Sequence, residues 1–160
     1  MNARTIVPRS FAAFLERLCD TGASLPHSDL HRLSDMEPEP AAAFTAAWPT
    51  IDLRRRRELM RSLADICQAD YSVDFGPVAL LGIADADPLV KLAAIDTFWD
   101  SEDPAVISLL VSLALSDPDV PVRASAVRAL GQFVLQGELG QLPQHSFSQL
   151  VQTLLEIARD

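Results

Sequence analysis

Residues 117–130 read DPDVPVRASAVRAL, and residues 85–98, which lie 32 positions earlier, read DADPLVKLAAIDTF. The two stretches correspond in register: aspartates come first, a valine and a cation follow, and small and apolar residues come last. Self-similarity at a period of about 20 to 50 residues is typical of stacked supersecondary units that cannot bury their apolar faces alone. The sequence therefore predicts a repeat protein.

Both stretches carry the signals of helix starts and of helical packing. An aspartate before a first-turn proline favours a helix start, because the carboxylate accepts backbone N–H groups and proline has none to offer. Val122, Ala126, Leu130 and Phe133 then recur at the spacing of one helical stripe. No alternating run of β-branched residues is long enough to predict a strand, so the predicted fold class is all-α. The predicted helices of the repeats span residues 40–48, 52–68, 74–84, 87–100, 103–116 and 119–134.

The chain divides into an N-terminal helical cap and a repeat region. Residues 1–39 hold one helix that Ser10 caps and a shorter helical turn, and the prolines of segment 37–40 are expected to end helical structure there. About three and a half helix pairs follow the cap. They occupy residues 40–70, 73–101 and 102–135, with a partial repeat at residues 144–160.

Residues 119–130 resemble the second helix of a HEAT repeat. In that family Asp, Val-Arg, Ala and a closing Ala-Leu recur at the spacings found in DVPVRASAVRAL. The resemblance implies a right-handed, armadillo-like α-solenoid whose second helices line a concave surface. The copy at residues 87–100 departs from the family pattern, because it has Lys91 for the arginine and Phe98-Trp99 for Ala-Leu.

The resemblance also implies where a partner would bind. Asp96, Trp99, Arg128 and Gln132 fall on second helices outside the core stripe, so they form the candidate partner-binding surface. Tryptophan and arginine dominate interface hot spots, because they supply a large contact area or planar hydrogen bonding. Trp99 has a competing interpretation, which is burial against the adjacent repeat.

Four charged residues predict a structural ladder between repeats. Lys91 and Arg123 lie just outside the apolar stripe, and Asp85 and Asp117 lie between helices. We expect Arg123 to pair with inter-helix carboxylates such as Asp117 or Asp85 of the adjacent repeat. The aspartates lack the glycine and the closing glutamate of an EF-hand loop, so helix capping explains them without a metal ion.

Arg54, Arg55, Arg56, Arg57 and Arg61 form the one basic cluster of the sequence. Successive helix positions spread around the helix axis, so these arginines cannot form a flat basic stripe. We therefore expect them to pair with the surplus acids inside the protein rather than with phosphates.

Composition disfavours several functional classes. The chain has 22 acidic and 13 basic residues and a net charge of -9, which disfavours nucleic acid as a partner. No apolar run reaches the roughly 18 residues of a membrane span, and Cys19 and Cys67 form no disulfide, metal or redox motif. The sequence predicts no catalytic residue, metal ligand or cofactor. Abundant alanine and arginine are typical of a GC-rich bacterial genome, and we expect a cytoplasmic protein.

These observations predict a non-catalytic scaffold or adaptor for protein–protein interaction, without naming the partner. An alternative is a lyase or chromophore-handling subunit, because the sequence is distantly similar to the HEAT-like repeats of phycobilin lyases. A lesser alternative is a DNA-binding solenoid of the alkylation-repair type, which the net charge disfavours. The apolar face of residues 144–160 leaves three interpretations open: a cap, a fragment of a longer solenoid that continues past Asp160, or self-association.

Overall fold

Helices make up the described structure. It is a computed structural model that describes residues 10–101 and 103–159. Residues 1–9, Glu102 and Asp160 lie outside the described part, so the predicted cap and repeats are described without them. Every described element is helical, which confirms the all-α prediction. The α-helices are α1 (Phe11–Cys19), α2 (His27–Leu30), α3 (Pro38–Ala47), α4 (Leu53–Ala69), α5 (Gly76–Ile83), α6 (Pro88–Asp96), α7 (Pro104–Ser116), α8 (Val120–Glu138) and α9 (Gln144–Ile157).

Helices α3 to α9 alternate as the first and second helices of successive pairs. The second helices α4, α6 and α8 pack side by side, while α1 and α2 pack on α3 and α4 at the N-terminal end. Packing between the first helices α5 and α7 is sparse. The arrangement is that of an α-solenoid. No helix in the described ranges combines the length and the hydropathy that a bilayer crossing requires.

One hydrophobic core runs from the cap to α9. Val122, Ala126, Leu130 and Phe133, the stripe predicted from the sequence, are fully buried in it. Burial of about 25 cal/mol per Å² of apolar surface is the dominant favourable term in holding such helices together. The repeats therefore share a continuous interior.

Aspartates begin four of the helices, as predicted. The carboxylates of Asp52, Asp87, Asp103 and Asp119 accept hydrogen bonds of 2.9 to 3.2 Å from backbone N–H groups in the first turns of α4, α6, α7 and α8. The helical turn of the cap ends at Leu33, before segment 37–40, as expected, and the next helix, α3, begins at Pro38 rather than at Pro40. Proline fits a first helical turn, where its missing N–H group has no intrahelical partner to lose.

Helix α6 is shorter than predicted and α8 is longer. Helix α6 ends at Asp96 rather than near residue 100, and the Thr97 hydroxyl donates to the carbonyl of Ala94 at 2.7 Å in the turn that follows. Helix α8 continues past the predicted end near residue 134, and its Gln132 and Gln136 amides donate to the carbonyls of Phe98 and Ser101 at 3.2 and 3.1 Å. Gln132, together with Gln136 in the extension of α8, thus satisfies backbone carbonyls in the turn that follows the early end of α6.

The last helix, α9, packs on both α7 and α8. Leu150 is fully buried, and Phe147 and Leu154 pack against the core. Phe147 lies so close to Gly137 of α8 that a side chain at that glycine would overlap its ring. Leu155 remains exposed, so the apolar face of α9 is only partly covered.

Gly82 marks a close approach between α5 and its neighbours. A Cβ atom at this position would lie 2.8 Å from the Cβ of Ala94 on α6 and 3.1 Å from the Cε of Met60 on α4. Carbon atoms in van der Waals contact prefer about 3.5 to 4.0 Å. The absence of a side chain therefore lets α5 pack against α4 and α6 together.

We expect Gly82→Ala to lower the free energy of unfolding by about 1–3 kcal/mol, because the Ala94 Cβ cannot move without its backbone. The matched control is Gly131→Ala in α8, where an added Cβ meets no atom within 4 Å. The control should raise stability by about 0.5–1 kcal/mol, since alanine is the better helix former. Urea unfolding measures both, and equal effects of the two substitutions would contradict the close approach.

Candidate functional site

A buried ion pair joins the second and third helix pairs. The Lys91 ammonium of α6 lies 2.5 Å from Oδ2 of Asp117, which follows α7. The two side chains are only 15% and 2% exposed. The other oxygen of Asp117 accepts a hydrogen bond from the backbone N–H of Asp119 at 2.9 Å. The carboxylate therefore ties α6 to the loop that begins α8.

The same arrangement occurs one repeat earlier. Arg56 of α4 pairs with Oδ2 of Asp85, whose Oδ1 accepts from the N–H of Asp87 at 2.9 Å. Trp48 Nε1 also donates to Asp85 Oδ2, at 3.0 Å. Arg56 was not among the predicted ladder residues. It is the fourth residue of its helix, as Lys91 is of α6, and that register is the signal that could have found it.

Arg123 behaves differently from the expectation. It is the fourth residue of α8, but no described carboxylate pairs with it. Its guanidinium donates instead to the backbone carbonyls of Asp117 and Pro118, at 2.8 and 3.3 Å. The expected pairing of Arg123 with the carboxylates of Asp117 or Asp85 is therefore wrong, because each aspartate is already bound by the cation of the preceding second helix.

The Asp117 carboxyl has a pKa below its ordinary value. Burial by itself raises this pKa, since desolvation penalises the charged form. The hydrogen bond from Lys91, the N–H of Asp119 and the charges of Lys91 and Arg123 lower it and outweigh the burial. Asp117 is therefore a charged group inside the protein, held so by its partners.

The predicted internal pairing of the arginine cluster is confirmed for its first four members. Arg54 donates to Glu58 at 3.0 Å, and Arg57 donates to Asp87 at 2.9 and 2.5 Å. Arg56 is the ladder residue described above. Arg55 is buried, and it donates to two backbone carbonyls of the cap, those of residues 20 and 23, at 2.7 and 2.6 Å. Arg55 thus fastens the first repeat to the cap, Arg56 and Arg57 fasten it to the second repeat, and Arg54 pairs within α4.

The four residues of the candidate partner-binding surface come together in the structure. Asp96, Trp99, Arg128 and Gln132 line one small concavity of about 180 Å³ between α6 and α8. Trp99 lies in the turn after α6 rather than on a helix, since α6 ends at Asp96. The predicted residues are therefore neighbours in space, although one of them belongs to a turn.

A row of charges crosses the second helices beside this concavity. Arg61, Asp96 and Arg128 are each the ninth residue of their helices, α4, α6 and α8, and all three are exposed. Neither guanidinium makes an ion pair or a hydrogen bond with a described residue, in contrast to Arg54 and Arg57. Sequence reasoning placed Arg61 in the basic cluster and not in the site. Arg61 follows its capping residue Asp52 by as many positions as Arg128 follows Asp119, and that equal spacing is the signal that could have found it. We call Arg61, Asp96, Trp99, Arg128 and Gln132 the second-helix surface.

The pKa of the Asp96 carboxyl reflects both its burial and the neighbouring charges. Partial desolvation raises its pKa above the ordinary value, whereas the nearby charges of Arg128 and Arg61 act to lower it. An ion pair with another group would stabilise the charged form of such a carboxyl. Asp96 is thus partly desolvated and forms no ion pair with a described residue.

Trp99 and Gln132 combine contact with the protein and exposure to the concavity. The Trp99 ring packs against the ring of Tyr71, with centroids 5.4 Å apart, and its Nε1 is buried without a described acceptor. Gln132 donates to the Phe98 carbonyl, as described above. Trp99 is partly buried, as the competing interpretation expects, and its role in binding a partner stays a prediction.

Stacked helix pairs joined by a repeating ion-pair ladder define the protein as an α-solenoid. A family model described as HEAT repeats matches residues 77–160, more than half of the chain and the region from α5 to α9. The chain belongs to the HEAT-repeat family. Proteins of this kind commonly serve as scaffolds for protein interaction. No curated protein and no solved structure shows a significant match to the chain.

We expect Asp117→Asn to lower the free energy of unfolding by about 3 kcal/mol at neutral pH, because it leaves the Lys91 ammonium without its anion in a largely buried site. Urea unfolding measures the loss. The control is Asp65→Asn, which removes an exposed carboxylate of α4 and should change stability by less than about 0.5 kcal/mol.

The pH dependence of this effect has a defined sign. The folded-state pKa of Asp117 is lowered, so its stabilising contribution is present above the unfolded value of about 3.8 and is lost as the pH falls through the folded value. The difference in stability between the native protein and Asp117→Asn should therefore shrink below about pH 4. An unchanged difference in acid would contradict the charged state assigned to Asp117.

We expect Arg128→Ala to raise the pKa of Asp96 further, because it removes the larger of the two guanidinium interactions that lower it. A carboxyl carbon NMR titration of the native protein and the variant measures the change. Arg54→Ala deletes the same charge from the start of α4 and should leave the Asp96 titration as it is. A common shift in both variants would mean that net charge, and not the charge row, sets this pKa.

Proposed function

We propose that the chain is a non-catalytic scaffold or adaptor that binds another protein along the second-helix surface. The observation that carries the proposal is the row of Arg61, Asp96 and Arg128, which are exposed, alternate in sign and recur at one helix position. Trp99 adjoins the row at the α6–α8 concavity. Membership in the HEAT-repeat family supports the same conclusion.

The two cations of this row differ from the other cations of the second helices in having no structural task. Arg55, Arg56, Arg57 and Lys91 each bind a described acceptor within the fold. Arg61 and Arg128 bind none, although a free guanidinium offers five donors in a fixed plane. Such groups are suited to recognise carboxylates of a partner, which would place a cation of its own opposite Asp96.

The surface fits a protein better than the other partners considered. Its groups recognise a pattern of acid, base and acid, whereas a nucleic acid presents phosphates of one sign, and the net charge of -9 opposes its approach. The second-helix surface holds no serine, threonine, cysteine or lysine nucleophile, and the proposal assigns it no catalytic step. We place this binding role in the cytoplasm, and we do not name the partner.

The test is affinity capture with the native chain, followed by binding measurements with each purified candidate. Arg61→Glu combined with Arg128→Glu reverses the charge of both cations of the row. It should weaken the affinity for the true partner at least tenfold, or by about 1.4 kcal/mol. The matched control is Arg54→Glu combined with Arg159→Glu, which makes the same charge change at exposed positions outside the row. Circular dichroism confirms that both variants are folded.

The outcomes separate the proposed function from its alternatives. The proposal is supported by a partner that binds the control variant as tightly as the native chain but binds the row variant, Arg61→Glu with Arg128→Glu, more weakly. Visible absorbance gained on addition of a bilin would instead favour the chromophore-handling role, and salt-sensitive retention of DNA would favour the alkylation-repair type. If every purified partner bound the native chain and the row variant equally well, the second-helix surface would not be the binding surface, and the proposal would be wrong.

A further inference from the structure

A groove lies between the first helices α5 and α7, where their packing is sparse. Its volume is about 550 Å³, within the range of roughly 300 to 1,000 Å³ that protein ligand sites occupy. The turn after α6 separates it from the second-helix surface, since Phe98 and Asp100 of that turn line the groove and Trp99 lines the other concavity. We call it the α5–α7 groove.

The early end of α6 accounts for the groove. Helix α6 has 9 residues, whereas its counterpart α8 has 19. Beyond Asp96 the chain turns, and buried Phe98 forms part of the groove floor together with Cys67 and Val106. The groove is therefore a fixed consequence of the helix lengths, with a floor of buried apolar side chains.

The walls of the groove present apolar surface to solvent. Leu80 of α5 is 50% exposed, and Leu109 of α7 is partly exposed on the opposite wall. Each buried methylene group is worth about 0.8 kcal/mol when it leaves water. A partner that covers both leucines would gain that free energy without rearranging the core.

Among the residues that the structure describes, three carboxylates and no cation line the same groove. Asp74, Asp100 and Asp103 are all exposed. Asp74 and Asp103 use one oxygen each for a backbone N–H, at 2.8 and 2.9 Å, and Asp100 accepts no hydrogen bond from a described residue. The remaining oxygens are therefore available to donors from outside.

The field of these carboxylates reaches the groove floor. Burial raises the pKa of the Cys67 thiol to about 11, and the negative charges of Asp100 and Asp74 raise it as well. The thiol is thus held in its neutral form. The same negative potential would stabilise a guanidinium or an ammonium group placed in the groove.

We propose that the α5–α7 groove binds a basic amphipathic segment of a partner protein, whose aliphatic side chains cover Leu80 and Leu109 while arginine or lysine meets Asp74, Asp100 and Asp103. Charge complementarity favours this occupant over a second copy of the chain. The copy carries a net charge of -9, and its Arg54 to Arg57 are bound internally. Its Arg61 and Arg128, whose guanidiniums bind no described residue, belong to separate helices in one row with the carboxylate of Asp96, so they do not form a basic segment. The proposal concerns a different surface from the second-helix surface and does not rest on it.

Two synthetic peptides of about 15 residues test this site, a length at which helices begin to form in water. One places leucine at helical spacing with arginine elsewhere, and the other replaces every arginine with glutamate. Fluorescence anisotropy measures their affinities for the full chain. The variants are Asp100→Lys and Leu80→Gln, with Asp65→Lys and Leu139→Gln as matched controls at exposed positions outside the groove.

The arginine peptide should bind the native chain, and each groove variant should weaken it about tenfold, whereas the controls should stay within about twofold. If Asp65→Lys lowered the affinity for the arginine peptide as much as Asp100→Lys does, the proposal would be overturned, because the attraction would be non-specific. Equal binding of the glutamate peptide would overturn it as well. The variant with Arg61→Glu and Arg128→Glu should still bind, and its loss of binding would move the site to the second-helix surface.

Sedimentation velocity of the chain alone tests the competing occupant. A monomer that keeps its sedimentation coefficient in Leu80→Gln supports an open groove. A dimer that Leu80→Gln dissociates would show that a second copy covers the groove, and the proposal would be wrong. Circular dichroism of Leu80→Gln and Asp100→Lys distinguishes loss of the site from loss of the fold.

Discussion

The buried pairing of a second-helix cation with the aspartate of the next repeat is the interaction on which the rest of this structure depends. Asp85 and Asp117 are almost fully buried, and each gives one oxygen to the cation and the other to a backbone N–H two residues later. A buried charge that lost its partner would cost several kcal/mol, so neighbouring repeats cannot slide past each other without that penalty. The ladder therefore fixes the register of the repeats, while the apolar core supplies most of the binding energy between them.

Fixed register has a consequence for the exposed side of the second helices. Because α4, α6 and α8 are held at equivalent heights, residues at one helix position fall into a row, and Arg61, Asp96 and Arg128 become neighbours despite their separation in sequence. Departures from the repeat create the other distinctive features. The short α6 opens the α5–α7 groove, and the long α8 supplies the glutamine amides that satisfy the turn beside it. The regular spacing of the second helices thus produces the second-helix surface, and the unequal lengths of α6 and α8 produce the α5–α7 groove.

Much of the fold and part of the candidate site could be read from the sequence. The capping aspartates, the buried stripe of α8 and the internal binding of Arg54, whose partner Glu58 lies four residues later, follow from local chemistry, and the structure confirms them. Sequence reasoning missed Arg56 as a member of the ladder and Arg61 as a member of the charge row. The first repeat lacks the Val-Arg and Ala-Leu pairs, so only the count from its capping aspartate reveals their equivalence.

The sequence by itself determined that this protein is a helical repeat, where most helices begin, and which residues form the stripe inside, because capping and periodic burial act over a few neighbouring positions. Only the tertiary structure decided which aspartate each cation binds, where α6 stops and α8 continues, and that Arg123 turns to backbone carbonyls. Those outcomes depend on which groups meet across different repeats. Partner choice between buried charges is settled by distance and desolvation in three dimensions, which spacing along the chain does not contain.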